Sequence, residues 1–314
     1  MKRVAILESL GISGDRLKQF TDAFAGEAVF DCYEKTTDPV KLLEECKEAD
    51  AVIIANMPFP DAVIEKCRQL SYIDVAFTGV DHVGLAAARE KGIRVSNASG
   101  YSNEAVSELV IGLALSLMRH IPEVNVRVRH GGTKEGLVGR ELRGKTVGII
   151  GYGKIGHRTG ELFHAFGCRI LGQCQTWHDD FPSYTEQVSQ ERLLEESDIV
   201  VLHCPLNAGT RGMINGEKLA RMKPTAVLIN VARGPVVVES DLVAALEEKR
   251  IAGAAVDVFD REPPLEDRPI LHAPNTVLTP HVAFATEESM ELRAEIVFDN
   301  LRAWLNGEIL NPVL

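Results

Sequence analysis

Three side chains in the last third of the chain have types that could work together on an organic acid: Arg233, Glu262 and His281. A guanidinium is a permanently charged, planar fork of donors that matches a carboxylate. An imidazole titrates near neutrality, so it can give a proton to a carbonyl and recover it. A carboxylate beside the imidazole would fix its orientation. Upstream lies Gly151-Tyr152-Gly153-Lys154-Ile155-Gly156, the G-x-G-x-x-G spacing of a turn that holds a dinucleotide. One element for a dinucleotide and one for a carboxylate and a proton point to hydride chemistry on a small 2-hydroxy or 2-oxo acid.

The elements around the Gly-rich turn have the required order. Thr146–Ile150 reads as a buried strand ending on Gly151, and Lys154–Phe166 has helical periodicity, with Ile155, Leu162, Phe163 and Phe166 near one face. In such a unit Gly151 permits the tight turn, Gly153 lets the backbone approach a pyrophosphate, and Gly156 lets helix pack on strand. The helix N-terminus offers free N–H groups to the phosphates. The usual acidic partner of the ribose hydroxyls, about 20 residues on, is missing: the next strand ends in Gln173-Cys174-Gln175-Thr176, with Cys174 where the acid would stand. No Arg or Lys replaces it, although Arg158 and His178 are candidates to approach a 2′-phosphate. NAD is the expected cofactor, and NADP stays open.

Strand and helix alternate along nearly the whole chain. Strands are expected at Val4–Leu7, Ala28–Phe30, Ala51–Ala55, Ile73–Phe77 and Arg94–Ser96, with helices over Asp15–Phe24, Pro39–Glu48, Asp61–Gln69 and Leu85–Lys91. A long apolar helix is expected from about Asn103 to Arg119. Residues 120–142, polar, basic and Gly-containing, read as an excursion from the core. After the Gly-rich turn, strands follow at Ile199–His203, Ala226–Asn230, Ala254–Val258 and Thr276–Leu278. Such alternation implies parallel sheets covered on both faces. Open parallel sheets bind ligands outside the carboxyl ends of their strands. His203-Cys204-Pro205, Asn230–Gly234, Asp257 with Glu262, and Pro280-His281 all fall there. A loop Arg, a Glu before Pro or a His after Pro is singly an unremarkable solvated residue. Their order on successive strand ends carries the reading.

The 314 residues suit two domains. A formal charge of −11 argues against a nucleic-acid surface. No apolar run reaches spanning length and no cleaved signal is visible, so no membrane partner and a cytoplasmic location are expected. The six cysteines are scattered without metal spacing and read as reduced thiols. Cys204 has no His or Asn constellation around it and reads as a packing residue. The histidines show no metal spacing, so no catalytic metal is expected.

The chain resembles the D-isomer-specific 2-hydroxyacid dehydrogenase family. The stretches that carry the resemblance are Val147–Gly156, His203–Pro205 with Thr210-Arg211-Gly212-Met213-Ile214, Asn230–Gly234, Asp257–Pro263, Thr279–His281, and Thr78-Gly79-Val80-Asp81-His82. The resemblance implies an α/β fold of two doubly wound parallel-sheet domains, a Rossmann-type cofactor domain inserted into a flavodoxin-like substrate domain. Residues 1–100 and 287–314 would form the substrate domain, and 101–286 the dinucleotide domain. It implies a homodimer too, with the long helix and the 120–142 excursion at its interface.

The resemblance also assigns roles. His281 would be the acid/base, Glu262 would hydrogen-bond it and favour its protonated form, and Arg233 would bind the substrate carboxylate. The backbone N–H groups of Thr78 and Gly79 would grip that carboxylate from the other domain, with Asn56 a further substrate contact. Asp257 would take the nicotinamide carboxamide. The 151–156 turn, Cys174, His203, Cys204, Pro205, Thr210, Val231, Ala232, Arg233, His281 and Ala283 would line the cofactor site. Phe284, bulky where the family has a small residue, would wall the site and limit substrate size. Two alternatives stay open: an NADP-preferring glyoxylate/hydroxypyruvate-type reductase, and a non-catalytic, nucleotide-sensing binding protein like the related corepressors.

Overall fold

The computed structural model describes residues 1–176 and 181–314, and His178 lies outside them. The chain folds as two compact units, Met1–Ser102 with Ala285–Leu314, and Asn103–Phe284. Each is built on a parallel sheet.

The first unit holds β1 (Lys2–Ile6), β2 (Ala28–Cys32), β3 (Ala51–Ile54), β4 (Tyr72–Val75) and β5 (Arg94–Asn97) in the order β2-β1-β3-β4-β5, all pairs parallel. This is the flavodoxin-like order. Helices α1 (Gly14–Asp22), α2 (Pro39–Cys46), α3 (Asp61–Ile64) and α4 (Leu85–Glu90) link the strands. Ser13 caps α1 by accepting from the Arg16 N–H, and Asp38 caps α2 ahead of a proline at its first turn. Of the inner strands, β3 and β4 are buried at every residue and β1 at its last three, as strands covered on both faces are.

The second unit holds α5 (Asn103–Met118), α6 (Ile121–Arg129), β6 (Thr146–Ile150), α7 (Lys154–Ala165), β7 (Arg169–Gln173), β8 (Thr185–Gln187), α8 (Gln190–Glu196), β9 (Ile199–Leu202), α9 (Gly216–Ala220), β10 (Val227–Asn230), α10 (Glu239–Glu247), β11 (Gly253–Val256) and β12 (Thr276–Leu278). Its parallel sheet runs β12-β11-β10-β9-β6-β7-β8. Counted from β6, the order is that of a Rossmann sheet with one added strand, and it reverses between β6 and β9. One core, with Val110, Leu113, Tyr152 and Phe163, lies under α5 and α7; another, with Leu193, Leu219, Leu242 and Leu246, lies under α8, α9 and α10.

The chain then returns to the first unit as α11 (Glu287–Leu305), opened by a Thr286/Ser289 capping box. Phe298 of α11 stacks on Phe20 at 4.7 Å, and Trp304 stacks on Tyr72 at 5.1 Å. Among the described residues, no single helix is long and apolar enough to cross a membrane.

Several elements differ from the sequence expectation: β8 is additional, and α1, α2 and β11 each end two residues early. The 120–142 excursion contains α6, which leaves Val126 and Val128 exposed. The third helix stops at Ile64 rather than Gln69, because Lys91 Nζ takes the Ile64, Glu65 and Cys67 carbonyls at 3.1, 2.9 and 2.6 Å. β4 ends at Val75, two residues early, where the Phe77 N–H turns back onto the Val75 carbonyl.

Candidate active site

The reversal between β6 and β9 places the Gly-rich turn. Gly151 follows β6 with φ +93°, and a Cβ there would come within 2.5 Å of the Cys204 nitrogen in the loop after β9. Only glycine takes this conformation cheaply while leaving room for the neighbouring strand's backbone. At Gly153 a Cβ would meet nothing within 4 Å, so space is open beside the turn. The turn feeds α7, whose first turn has no side-chain cap, so its N–H groups and positive dipole end remain for an anion. The turn therefore fits a dinucleotide pyrophosphate. Tyr152 is fully buried, its hydroxyl 2.7 Å from Thr185 Oγ1, so this residue presents backbone rather than ring to a ligand.

The loop after β9 is stitched shut. Thr210 Oγ1 donates to the Pro205 carbonyl at 2.6 Å and accepts from the Asn207 N–H at 2.9 Å. Burial pushes the Cys204 thiol up to about 11, which keeps it protonated and inert as a nucleophile. Desolvation brings His203 down to about 3, so its ring is neutral, with Nε2 3.0 Å from Thr159 Oγ1. At the end of β7, the Cys174 thiol donates to the Thr176 carbonyl at 3.0 Å. Arg158 is engaged by Glu104 at 2.8 Å and Glu161 at 2.7 Å.

The chemistry-bearing loops follow β10, β11 and β12. Asn230 ends β10 and anchors the next turn, its Nδ2 donating to the Arg233 carbonyl at 3.1 Å and its Oδ1 accepting from the Ala232 N–H at 3.1 Å. The adjacent Gly234 lies flat against the loop after β11, where a Cβ would overlap the Phe259 carbonyl carbon. This contact brings Arg233 near Glu262. Arg233 Nη1 donates to the Ala232 carbonyl at 2.8 Å.

Glu262 is clamped at both oxygens. Oε1 accepts from the Phe259 N–H at 3.0 Å, and Oε2 lies 2.6 Å from His281 Nδ1. Burial alone would raise the Glu262 carboxyl. The His281 hydrogen bond and charge, the Phe259 N–H and Arg233 outweigh it and hold the group below its ordinary range. The pair is therefore a carboxylate that accepts the Nδ1 proton. His281 has φ +55°, a left-handed conformation that is strained for a residue with a Cβ. Asp257 holds it there. Its carbonyl accepts the His281 N–H at 2.7 Å, and its carboxylate accepts from Thr279 Oγ1, Val282 N and Ala283 N at 2.6, 2.9 and 3.0 Å. The Phe284 ring stands edge-on to the imidazole at 5.4 Å between centroids.

The family described as "D-isomer specific 2-hydroxyacid dehydrogenase, NAD binding domain" matches residues 111–283, which hold the turn and all three residues. The chain belongs to this family. As a member it is a nicotinamide-dependent oxidoreductase of hydroxy acids. It is 35% identical over 306 residues to a hydroxypyruvate reductase of Blautia hydrogenotrophica, covering 91% of this chain and 93% of that one. It superposes on an acyclic imino acid reductase (Bsp5) in complex with NADPH and D-Arg with a TM-score of 0.92 and 27% identity, covering 99% and 100% of the two chains. A D-lactate dehydrogenase from Aquifex aeolicus, complexed with NAD and lactic acid, gives 0.88 and 27%, covering 98% and 96%.

In the first unit of this dehydrogenase, Asn56 lies just beyond β3. Its neighbours Ala55 and Met57 donate their N–H groups to Glu8 Oε1 at 2.7 and 2.9 Å, and Lys35 Nζ donates to Asn56 Oδ1 at 2.9 Å. Nothing in the sequence marks Glu8 as the anchor of that loop. Thr78 and Gly79 lie beyond β4, and the Thr78 carbonyl accepts from Asn97 Nδ2 at 2.8 Å. Asp257 is likewise more than a cofactor candidate, because it is the brace of the His281 turn. A buried Asp at a strand end, followed by Thr and Ala positions around a His, was the available signal.

Proposed function

We propose that this dehydrogenase interconverts small D-2-hydroxy acids and 2-oxo acids, with His281 as the acid/base. The observation that carries the reading is the 2.6 Å bond from His281 Nδ1 to a Glu262 carboxylate, on a turn braced by Asp257. With Nδ1 committed to Glu262, Nε2 is the nitrogen that exchanges a proton with the substrate oxygen. In the reducing direction it gives the proton to the 2-oxo oxygen, and in the oxidising direction it takes the proton back. Glu262 stabilises the imidazolium and fixes the ring. The Arg233 fork takes the substrate carboxylate. Phe284, against the imidazole, limits the bulk at C3. A nicotinamide held along this site would supply or accept the hydride at C2.

Several roles follow the same reading. The N–H groups of Thr78 and Gly79 serve the carboxylate, and Asn56 is a further substrate contact. The first turn of α7 serves the pyrophosphate, with Cys204, Pro205, Thr210, Val231, Ala232 and Ala283 along the dinucleotide. Three of the roughly four lone-pair positions of the Asp257 carboxylate are already used by the chain, which leaves one for the carboxamide N–H. NAD is the proposed cofactor. The neutral thiol of Cys174 favours the second reading, NADP, because no carboxylate at that position repels a 2′-phosphate. A homodimer is supported by the exposed apolar side chains of α6, Ile121, Val126 and Val128.

The test is the oxidation rate of NADH and NADPH with glyoxylate, hydroxypyruvate, pyruvate and a bulkier 2-oxo acid. Turnover is expected with the small acids, falling with bulk at C3. Cofactor binding without turnover on any of them would contradict this reading.

A further inference from the structure

The Thr78–Gly79 segment is set up for a ligand by a side chain that does not touch one. Asn97, the last residue of β5, has all four of its polar groups engaged. Its backbone N–H donates to the Asn311 carbonyl at 3.1 Å, and its carbonyl accepts from Asn300 Nδ2 at 3.1 Å. Its Oδ1 accepts from the Ser99 N–H at 3.3 Å, and its Nδ2 donates to the Thr78 carbonyl at 2.8 Å. The Ser99 bond leaves only one sense for the carboxamide, with the donor end facing Thr78. Asn300 is fully buried and fixed in turn, its Nδ2 on Asp74 Oδ1 at 3.1 Å and its Oδ1 on Asn311 Nδ2 at 2.8 Å.

The consequence is geometric. In a trans peptide the carbonyl and the following N–H point in opposite directions. The Thr78–Gly79 peptide is not among the cis bonds of the described residues. With the Thr78 oxygen drawn to Asn97, the Gly79 N–H is turned directly away from it. Among the described residues, the N–H groups of Thr78, Gly79 and Val80 have no backbone or side-chain acceptor, and the buried Thr78 hydroxyl has no partner. On these partly exposed residues the donors stay open to solvent or to a ligand. Successive N–H groups outside regular structure suit an anion.

We infer that Asn97 is a positioning residue for the substrate carboxylate, holding the Thr78 carbonyl so that the Gly79 N–H is presented to the carboxylate. This rests on the reading above that the Thr78–Gly79 segment grips that group. Without Asn97 the peptide is free to rotate, and the segment then offers an oxygen to an anion instead of a donor.

The experiment compares Asn97→Leu, isosteric and without a donor, with Gly79→Pro, which deletes the N–H itself. KM and kcat for the preferred 2-oxo acid, inhibition by oxamate, the cofactor Kd and the thermal midpoint are measured for each. For Asn97→Leu, KM and the oxamate inhibition constant rise about 10–100-fold, as for loss of a hydrogen bond to a charged group. kcat at saturation and the cofactor Kd stay within about threefold. A purely structural role would lower the midpoint and kcat and leave KM alone, and that result overturns the inference. Should Asn97→Leu fail to fold, Asn97→Asp has the same shape and puts an acceptor against the Thr78 carbonyl, and the same rise in KM is expected. If Gly79→Pro raises KM and folded Asn97 variants do not, the role of Asn97 is overturned while the carboxylate reading stands. If Gly79→Pro leaves KM unchanged, the carboxylate reading fails and the inference fails with it.

Discussion

At two turns beyond the second sheet, glycine lets backbone lie directly on backbone; at two segments beyond the first, a carboxylate and a carboxamide reach across to hold it. Gly151 lies against Cys204, and Gly234 lies against Phe259. By contrast, Glu8 holds Ala55 and Met57, and Asn97 holds Thr78. The first device fixes loops by excluding any side chain, so one added methyl group displaces a whole turn. The second fixes them by hydrogen bonds, so its loss loosens a loop without displacing it.

The largest effect expected from this contrast is at Gly151→Ala. A Cβ there is strained by φ +93° and blocked by the Cys204 nitrogen at 2.5 Å. Cofactor affinity, measured by nucleotide fluorescence, should fall by about 100-fold or more. A variant that binds nucleotide normally would show that the turn tolerates displacement. Next is Glu262→Gln, which keeps the shape and removes the charge. kcat should fall by about 10²-fold, with the cofactor Kd unchanged, in rapid-mixing assays of the hydride step.

Fully buried Asp74 of the first unit should show itself in stability more than in activity. Burial pushes its carboxyl up to about 8, opposed in part by the Asn300 amide. In the folded protein it therefore keeps its proton through neutrality, while the unfolded chain loses it near the ordinary value of 3.8. The folded state binds more protons across that window, so stability falls as pH rises from about 4 to about 8. The loss is on the order of 2–5 kcal/mol. Asp74→Asn should flatten the dependence, and unfolding midpoints of both proteins from pH 5 to 8.5 would show it. Parallel pH curves would mean that Asp74 is ionised when folded. The smallest effect is at Phe284→Ala, where bulkier 2-oxo acids should gain about tenfold in kcat/KM relative to glyoxylate. An unchanged substrate profile would remove Phe284 from the substrate wall.

The same contrast explains which parts of the molecule are legible in its sequence. The Gly-rich turn is contiguous, Arg233 and Glu262 follow apolar runs that read as inner parallel strands, and His281 follows β12 at the edge of the same sheet. Their convergence outside the sheet then follows from topology. The fixtures of the first unit are not contiguous with what they hold. Glu8 lies 47 residues from Ala55, and Asn300 lies 203 from Asn97. A lone Glu or Asn at a strand end looks like any turn residue until its partners are in place. Helix α6 is hidden for another reason: Ile121, Val126 and Val128 are exposed and its last turn is basic, so it lacks the buried stripe that marks a core helix.

The most direct test of the central claim is His281→Ala, with kcat and the cofactor Kd measured on the same preparation. Loss of kcat by about 10²–10⁴-fold with the cofactor Kd unchanged is the predicted result. Retained turnover in the folded variant would contradict the account, because the Glu262–His281 pair would then be an ordinary loop contact and the proton would have another source.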